Sequence, residues 1–224
     1  MKRLICVFAL LATIVSCKNA TNSQNQETTD VMEPVQEVKG RVNFGGDHAV
    51  ITPEPCLMIA TWDADGKPDV MMAAWGGQRD YREVEINLSE HKTTDNLRLK
   101  GAFTLSFASA DNVVESDFFG LVSANKVPDK VAKAGYTFIP SPNVDAPIIK
   151  EYPLTLGCKV VSFEDGHLIG RIVNMSAEES ILDENGRVDV GKLRPIVYDS
   201  STHVYRVVGE VVGKAWNSGK VLNE

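Results

Sequence analysis

Four histidines, His48, His91, His167 and His203, and four cysteines, Cys6, Cys17, Cys56 and Cys158, are the residues of this 224-residue chain best suited to metal binding or nucleophilic attack. Their spacing removes most of that chemistry. No two histidines stand at metal-ligand separation, and no C-x-x-C pair, hydrolase triad signature, P-loop or G-x-G-x-x-G fingerprint occurs. A lone histidine is usually a surface or packing residue, which is the expectation for His48, His167 and His203. His91 differs through its neighbours, because SEHKTTDNL gathers hydroxyls and cations at the start of a helical pattern. Asp63, Asp65 and Gly66 resemble the opening of a calcium loop. The later ligand positions and the closing Glu of that loop are missing, so the segment reads as a turn.

Positioning elements can be read around these residues. Leu57 to Trp62 and Asp69 to Trp75 are apolar runs joined by DADGKP, a β-hairpin pattern. Val84 to Leu88 alternates as a half-buried strand does. Thr93 or Thr94 is placed to cap a short helix that Gly101 closes. Ala102 to Ala108 reads as another strand. A helix is expected from Asp111, with Val113, Val114, Phe118 and Leu121 as its apolar positions. Residues 125–153 read as irregular, with one helical turn at Lys130 to Ala134. Leu154 to Phe163 and His167 to Met175 flank an acidic-Gly turn, DENG marks a second turn at 183–186, and Val204 to Val212 reads as a closing strand. Many antiparallel strands with short helical insertions predict a mainly β fold, a barrel.

The N-terminus follows another logic. Lys2 and Arg3 precede an apolar run from Leu4 to Val15, too short to span a bilayer and placed as an export signal. Ile14, Val15, Ser16 and Cys17 resemble the bacterial lipoprotein cleavage box, which makes Cys17 the lipidation site. Residues 1–16 are thus expected to be a lipoprotein signal peptide, residues 17–37 the lipidated Cys17 with a flexible tether, and residues 38–224 one domain. KNATNSQNQETTD, 13 residues of the tether, could extend ~40 Å from a membrane surface. Without the signal, 208 residues remain, with 21 basic groups against 30 acidic ones, a net charge of −9. That balance argues against nucleic acid as a partner. Cys56 and Cys158 sit in apolar contexts about 100 residues apart, so buried free thiols are the expected state, with pairing after export the alternative.

The order VMMAAW, SEHKTTDNL, GAFTLSFAS, ESDFFGLVSANKV and finally LRPIVYD with GEVVGKAW resembles the flavin reductase-like, FMN-binding split-barrel family, and its flavoredoxin-like members in particular. No single piece is diagnostic. The succession, from about Pro53 to Trp216, carries the resemblance. It implies an antiparallel FMN-binding split β-barrel with short helical insertions and a set of cofactor contacts. Met71, Met72, Ala73, Ala74 and Trp75 would lie beside the isoalloxazine, the small alanines admitting close backbone approach. Ser89, His91, Lys92, Thr93 and Thr94 would hold the ribityl phosphate with hydroxyls, cations and free amides at a helix N-terminus. Ser106, Phe107 and Ala108 would run along the cofactor. Ala73 and Ala74 stand where members commonly carry Ser or Thr, Ser106 where Asn is frequent, and Lys92 where Arg is frequent. Each change keeps backbone contacts or charge and loses side-chain hydrogen bonds.

The resemblance further implies an FMN-dependent oxidoreductase or electron-transfer flavoprotein, working as a homodimer, with the flavin supplying the chemistry and no catalytic acid or base required. The export signal separates the domain from cytoplasmic NAD(P)H. The electron donor is therefore either NAD(P)H or a membrane redox partner, and the expected location is exported and lipid-anchored to a bacterial membrane, on its periplasmic or cell-surface face. The alternative is a non-enzymatic surface lipoprotein that binds heme or another small aromatic ligand in the same barrel.

Overall fold

The computed structural model describes residues 37–44 and 51–223. The signal peptide and Cys17 lie outside the described residues. Residues 49–224 group as one compact unit. In chain order its elements are β1 (Glu54–Pro55), β2 (Leu57–Trp62), β3 (Pro68–Ala73), β4 (Gly76–Asp80), β5 (Glu83–Asn87), α1 (Lys92–Lys100), β6 (Ala102–Phe107), α2 (Val113–Leu121), α3 (Lys130–Ala134), β7 (Phe138–Pro140), β8 (Pro147–Ile149), β9 (Leu154–Glu164), β10 (His167–Ala177), α4 (Val190–Leu193), β11 (Ile196–Asp199) and β12 (Val204–Val207).

Seven strands form one curled antiparallel sheet in the order β3-β2-β6-β9-β10-β5-β4. The fold is mainly β, a split barrel with short helices. Its hairpins follow from turn chemistry. Asp63 accepts the N–H groups of Asp65 and Lys67 at 2.8 Å each on one carboxylate oxygen, closing the β2–β3 turn in the place where a calcium loop was considered. Asp165 and Gly166 are the two residues between β9 and β10, both with positive φ, 49° and 80°, as a tight primed turn needs.

β2 shows how the core divides. Leu57 and Ile59 enter one apolar cluster with Ile86, Leu97, Phe103, Leu105 and Leu168. Cys56, Met58 and Ala60 enter another with Val70, Phe119, Ile149 and Tyr152. Successive residues of a strand face opposite sides, so a strand buried on both faces reads as a continuous apolar run. Cys56 and Cys158 belong to these different clusters, and both are free buried thiols.

Three local expectations are corrected. The residue that caps α1 is His91, whose N–H donates to Thr94 Oγ1 at 2.8 Å, while Thr93 and Thr94 lie buried inside the helix. On α2 the apolar positions Val114 and Leu121 are each 73% exposed, and the buried face is carried by Ser116 and Phe119. Polar partners make this arrangement favourable: the Ser116 hydroxyl is 2.8 Å from the Tyr152 hydroxyl, and the Phe119 ring meets Tyr136 edge-on at 5.8 Å. The closing strand β12 stops at Val207 because its partner β11 ends there, Ile196 facing Val207 in the last pair. Val211, Val212 and Trp216 beyond it are exposed.

Candidate functional site

β3 ends the seven-stranded sheet, so one side of its backbone has no strand partner within that sheet. A cavity of about 400 Å³ opens along this end. Met71, Met72, Ala73, Ala74 and Trp75 form one wall, and Ser89 and His91 stand at the entry to α1. Asn87 and Leu88 continue the opposite wall. The tip of the β9–β10 hairpin, Asp165 with Gly166, closes that side, and Gly120 enters from α2. The Leu88 N–H donates to the Gly166 carbonyl at 2.7 Å and the Asn87 N–H to the Trp75 carbonyl at 2.7 Å, which ties both walls to the barrel. A Cβ at Gly166 would stand 2.6 Å from the Leu88 carbonyl oxygen, and φ is positive there, so this approach requires glycine.

The cavity brings together seven of the thirteen residues read from the sequence. The other six, Lys92, Thr93, Thr94, Ser106, Phe107 and Ala108, do not line it. Their groups are committed elsewhere. The Lys92 N–H donates to Ser123 Oγ at 3.1 Å, and the Thr94 N–H to the His91 carbonyl at 3.1 Å, so these amides of the α1 N-terminus are already used. Thr93 Oγ1 donates to Asp69 Oδ2 at 2.6 Å. Ser106 Oγ lies 3.0 Å from Thr155 Oγ1 across the β6–β9 ladder, Phe107 packs on one core cluster, and Ala108 is buried in the other.

His91 is harder to protonate here than a free histidine. Burial pushes its pKa below the ordinary histidine value, Lys130 pushes the same way, Asp69 opposes, and Lys126 adds a smaller push downward. Its Nδ1 is buried without a hydrogen-bond partner in the wall of the cavity. A buried polar atom left unpaired costs about 1–3 kcal/mol, and a ligand that reaches it recovers that cost.

Behind this wall lies an ion pair that the sequence reading missed. Lys130 Nζ is 3.1 Å from Asp69 Oδ1, with side chains 0% and 4% exposed, and it also donates to the Val122 carbonyl at 3.2 Å. With the Thr93 hydroxyl on the other carboxylate oxygen, the network joins α1, β3 and α3 beneath the site. Asn87, Leu88, Gly120, Asp165 and Gly166 were also missed. The Asp-Gly turn was legible as a turn, but nothing local says that its tip docks on Leu88. Among the described residues no cluster of three or more His, Cys, Asp or Glu side chains could hold a metal ion.

Fold and cavity define an antiparallel split barrel whose ligand site runs along an edge strand. The chain matches the flavin reductase like domain over residues 49–203. It is 33% identical over 188 residues to an uncharacterized protein of Aquifex aeolicus, covering 79% of this chain and 95% of that one. Among solved structures, flavoredoxin of Desulfovibrio vulgaris (Miyazaki F) superposes with a TM-score of 0.76 at 30% identity, covering 80% of this chain and all of that one. Flavoredoxin from Methanosarcina acetivorans gives 0.72 at 24% identity, covering 84% and 100%.

The chain belongs to the flavin reductase-like family. Its cofactor is FMN, and its function is of the flavoprotein oxidoreductase type. The residues present fit that group: a cavity of about 400 Å³, small side chains at Ala73 and Ala74, and an unpartnered buried His91 Nδ1.

Proposed function

We propose that this protein is an exported, lipid-anchored FMN-dependent oxidoreductase or electron-transfer flavoprotein that works as a homodimer. The observation that carries the flavin placement is the cavity between Met71–Trp75 and Asn87–His91 with its orphaned His91 Nδ1. The group held there would supply the electron-transfer chemistry. The chain's own residues would bind and orient the group: Met71 and Met72 would supply apolar contact, the backbone at Ala73 and Ala74 could approach it closely, and His91 and Ser89 would meet its polar atoms. Lys92 contributes positive charge near this end without lining the cavity.

The lipoprotein signal and Cys17 support anchoring outside the cytoplasm, and the location makes a membrane redox partner a better donor than NAD(P)H. The exposed apolar residues Trp75, Val211, Val212, Trp216 and Leu222 support association with a second copy, since large exposed apolar side chains gain from burial in an interface. Purified protein should show flavin absorbance and release FMN on denaturation. A colourless protein that also ignores added FMN sinks the flavin reading. A heme spectrum would support the ligand-binding alternative instead. Cys17→Ala should abolish lipid labelling, and light scattering should give twice the chain mass.

A further inference from the structure

A second cavity, of about 390 Å³, lies against the first. The two share Met72, Ala73, Ala74 and Gly120, so one short stretch of β3 and one turn of α2 wall both. The remaining walls are of a different character. Tyr198 and Tyr205 come from the paired strands β11 and β12, His203 from the turn between them, and Asp117 and Leu121 from α2. The Tyr198 and Tyr205 ring centroids are 6.1 Å apart, and the Tyr198 and His203 rings 6.2 Å apart at 31°. Aromatic faces grouped in this way favour a planar occupant.

The polar groups narrow its charge. The Tyr198 hydroxyl is 2.6 Å from His203 Nδ1, which leaves Nε2 as the imidazole nitrogen available to a ligand. The Tyr205 hydroxyl donates to Asp117 Oδ1 at 2.6 Å. Among the described residues no Lys or Arg lines the cavity, while the Asp117 carboxylate does. Phosphate and carboxylate ligands depend on cationic donors and would meet repulsion here.

We infer that this second cavity is a subsite for a neutral, planar, carbonyl-bearing aromatic compound of the quinone class, with His203 Nε2–H donating to its oxygen in the tautomer that the Tyr198 hydroxyl fixes by donating to Nδ1. The inference rests on the FMN reading of the adjoining cavity, which places the occupant beside the flavin across Met72–Ala74.

The test uses the full chain. FMN loading is measured first, by quenching of flavin fluorescence, and failure at that step refutes the flavin reading alone. The loaded chain, or the apo chain if loading fails, is then titrated calorimetrically with 2-methyl-1,4-naphthoquinone and separately with NADH. The quinone should bind at one site per chain. Tyr198→Phe should weaken it about tenfold, the worth of one hydrogen bond, with FMN affinity unchanged. His203→Asn, chosen because the φ of 55° at this position suits Asn, should weaken it by a similar factor. Leu121→Asp adds a second carboxylate at an exposed position where folding is not at stake, and it should weaken the quinone as well. Absence of quinone binding, wild-type affinity in all three variants, or NADH binding more tightly and in competition with the quinone would each overturn the inference.

Discussion

Replacing Lys130 by Met keeps most of the buried methylene packing and removes only the charge. Asp69 then stays buried, its carboxylate met by the Thr93 hydroxyl and no longer by an ammonium 3.1 Å away. Two charge-assisted contacts disappear, to Asp69 Oδ1 and to the Val122 carbonyl. At about 1.5–3 kcal/mol each, and with an uncompensated buried charge left behind, the loss is about 3–5 kcal/mol. With a urea m-value of about 2 kcal/mol/M, the unfolding midpoint should fall by about 2 M. Burial pushes the Lys130 pKa down while Asp69 holds it up, so much of the pair's value is repayment of desolvation. For that reason Lys130→Met combined with Asp69→Asn should be more stable than Lys130→Met alone, with a coupling of about 2 kcal/mol in the double-mutant cycle. A midpoint shift below about 0.5 M for the single variant, or strict additivity of the two changes, would refute the reasoning.

Other outcomes follow from particular residues. Because the folded-state pKa of His91 is lowered, the unfolded chain binds its proton first, so stability should fall as pH drops below about 6.5 and toward the folded-state value. Urea titrations across pH 5–7.5 should show that slope, and His91→Gln should flatten it. Gly166→Ala forces a Cβ to within 2.6 Å of the Leu88 carbonyl at a φ of 80°; it should cost at least about 1–2 kcal/mol and weaken FMN, read by thermal unfolding and flavin fluorescence. Burial pushes both the Cys56 and Cys158 thiols up to about 12, so peptides carrying them should resist alkylation in the native protein and react on unfolding, as mapped by mass spectrometry.

The strands and tight turns were legible because they are written locally. Asp165-Gly166 between two alternating runs specifies its hairpin from a handful of residues, and Gly101 closes α1 with a φ of 62°. What could not be read was everything that depends on meeting a distant segment. Asp69 reads as the first residue of a strand until Lys130 is placed against it. Thr93 looks like a phosphate ligand until its hydroxyl is seen on Asp69. Val114 and Leu121 look like the core face of a helix, yet a Ser116–Tyr152 hydrogen bond sets which face is buried. The order of segments groups Met71–Trp75 with His91, which line one cavity, whereas the hairpin tip and Gly120 join that lining only in three dimensions.

The two ends of the seven-stranded sheet are unequally defended. At one end β4 carries Gln78, Arg79 and Asp80 on the surface, and charge of both signs discourages another strand from adding there. At the other end β3 finishes in Val70-Met71-Met72-Ala73, a run with no charge to repel a neighbour. A cofactor lying along that run would do more than chemistry: it would act as a stopper against strand addition. Before the flavin binds, that run has no such stopper. Cofactor supply would then set how much of the protein survives to be used, as well as how much of it is active.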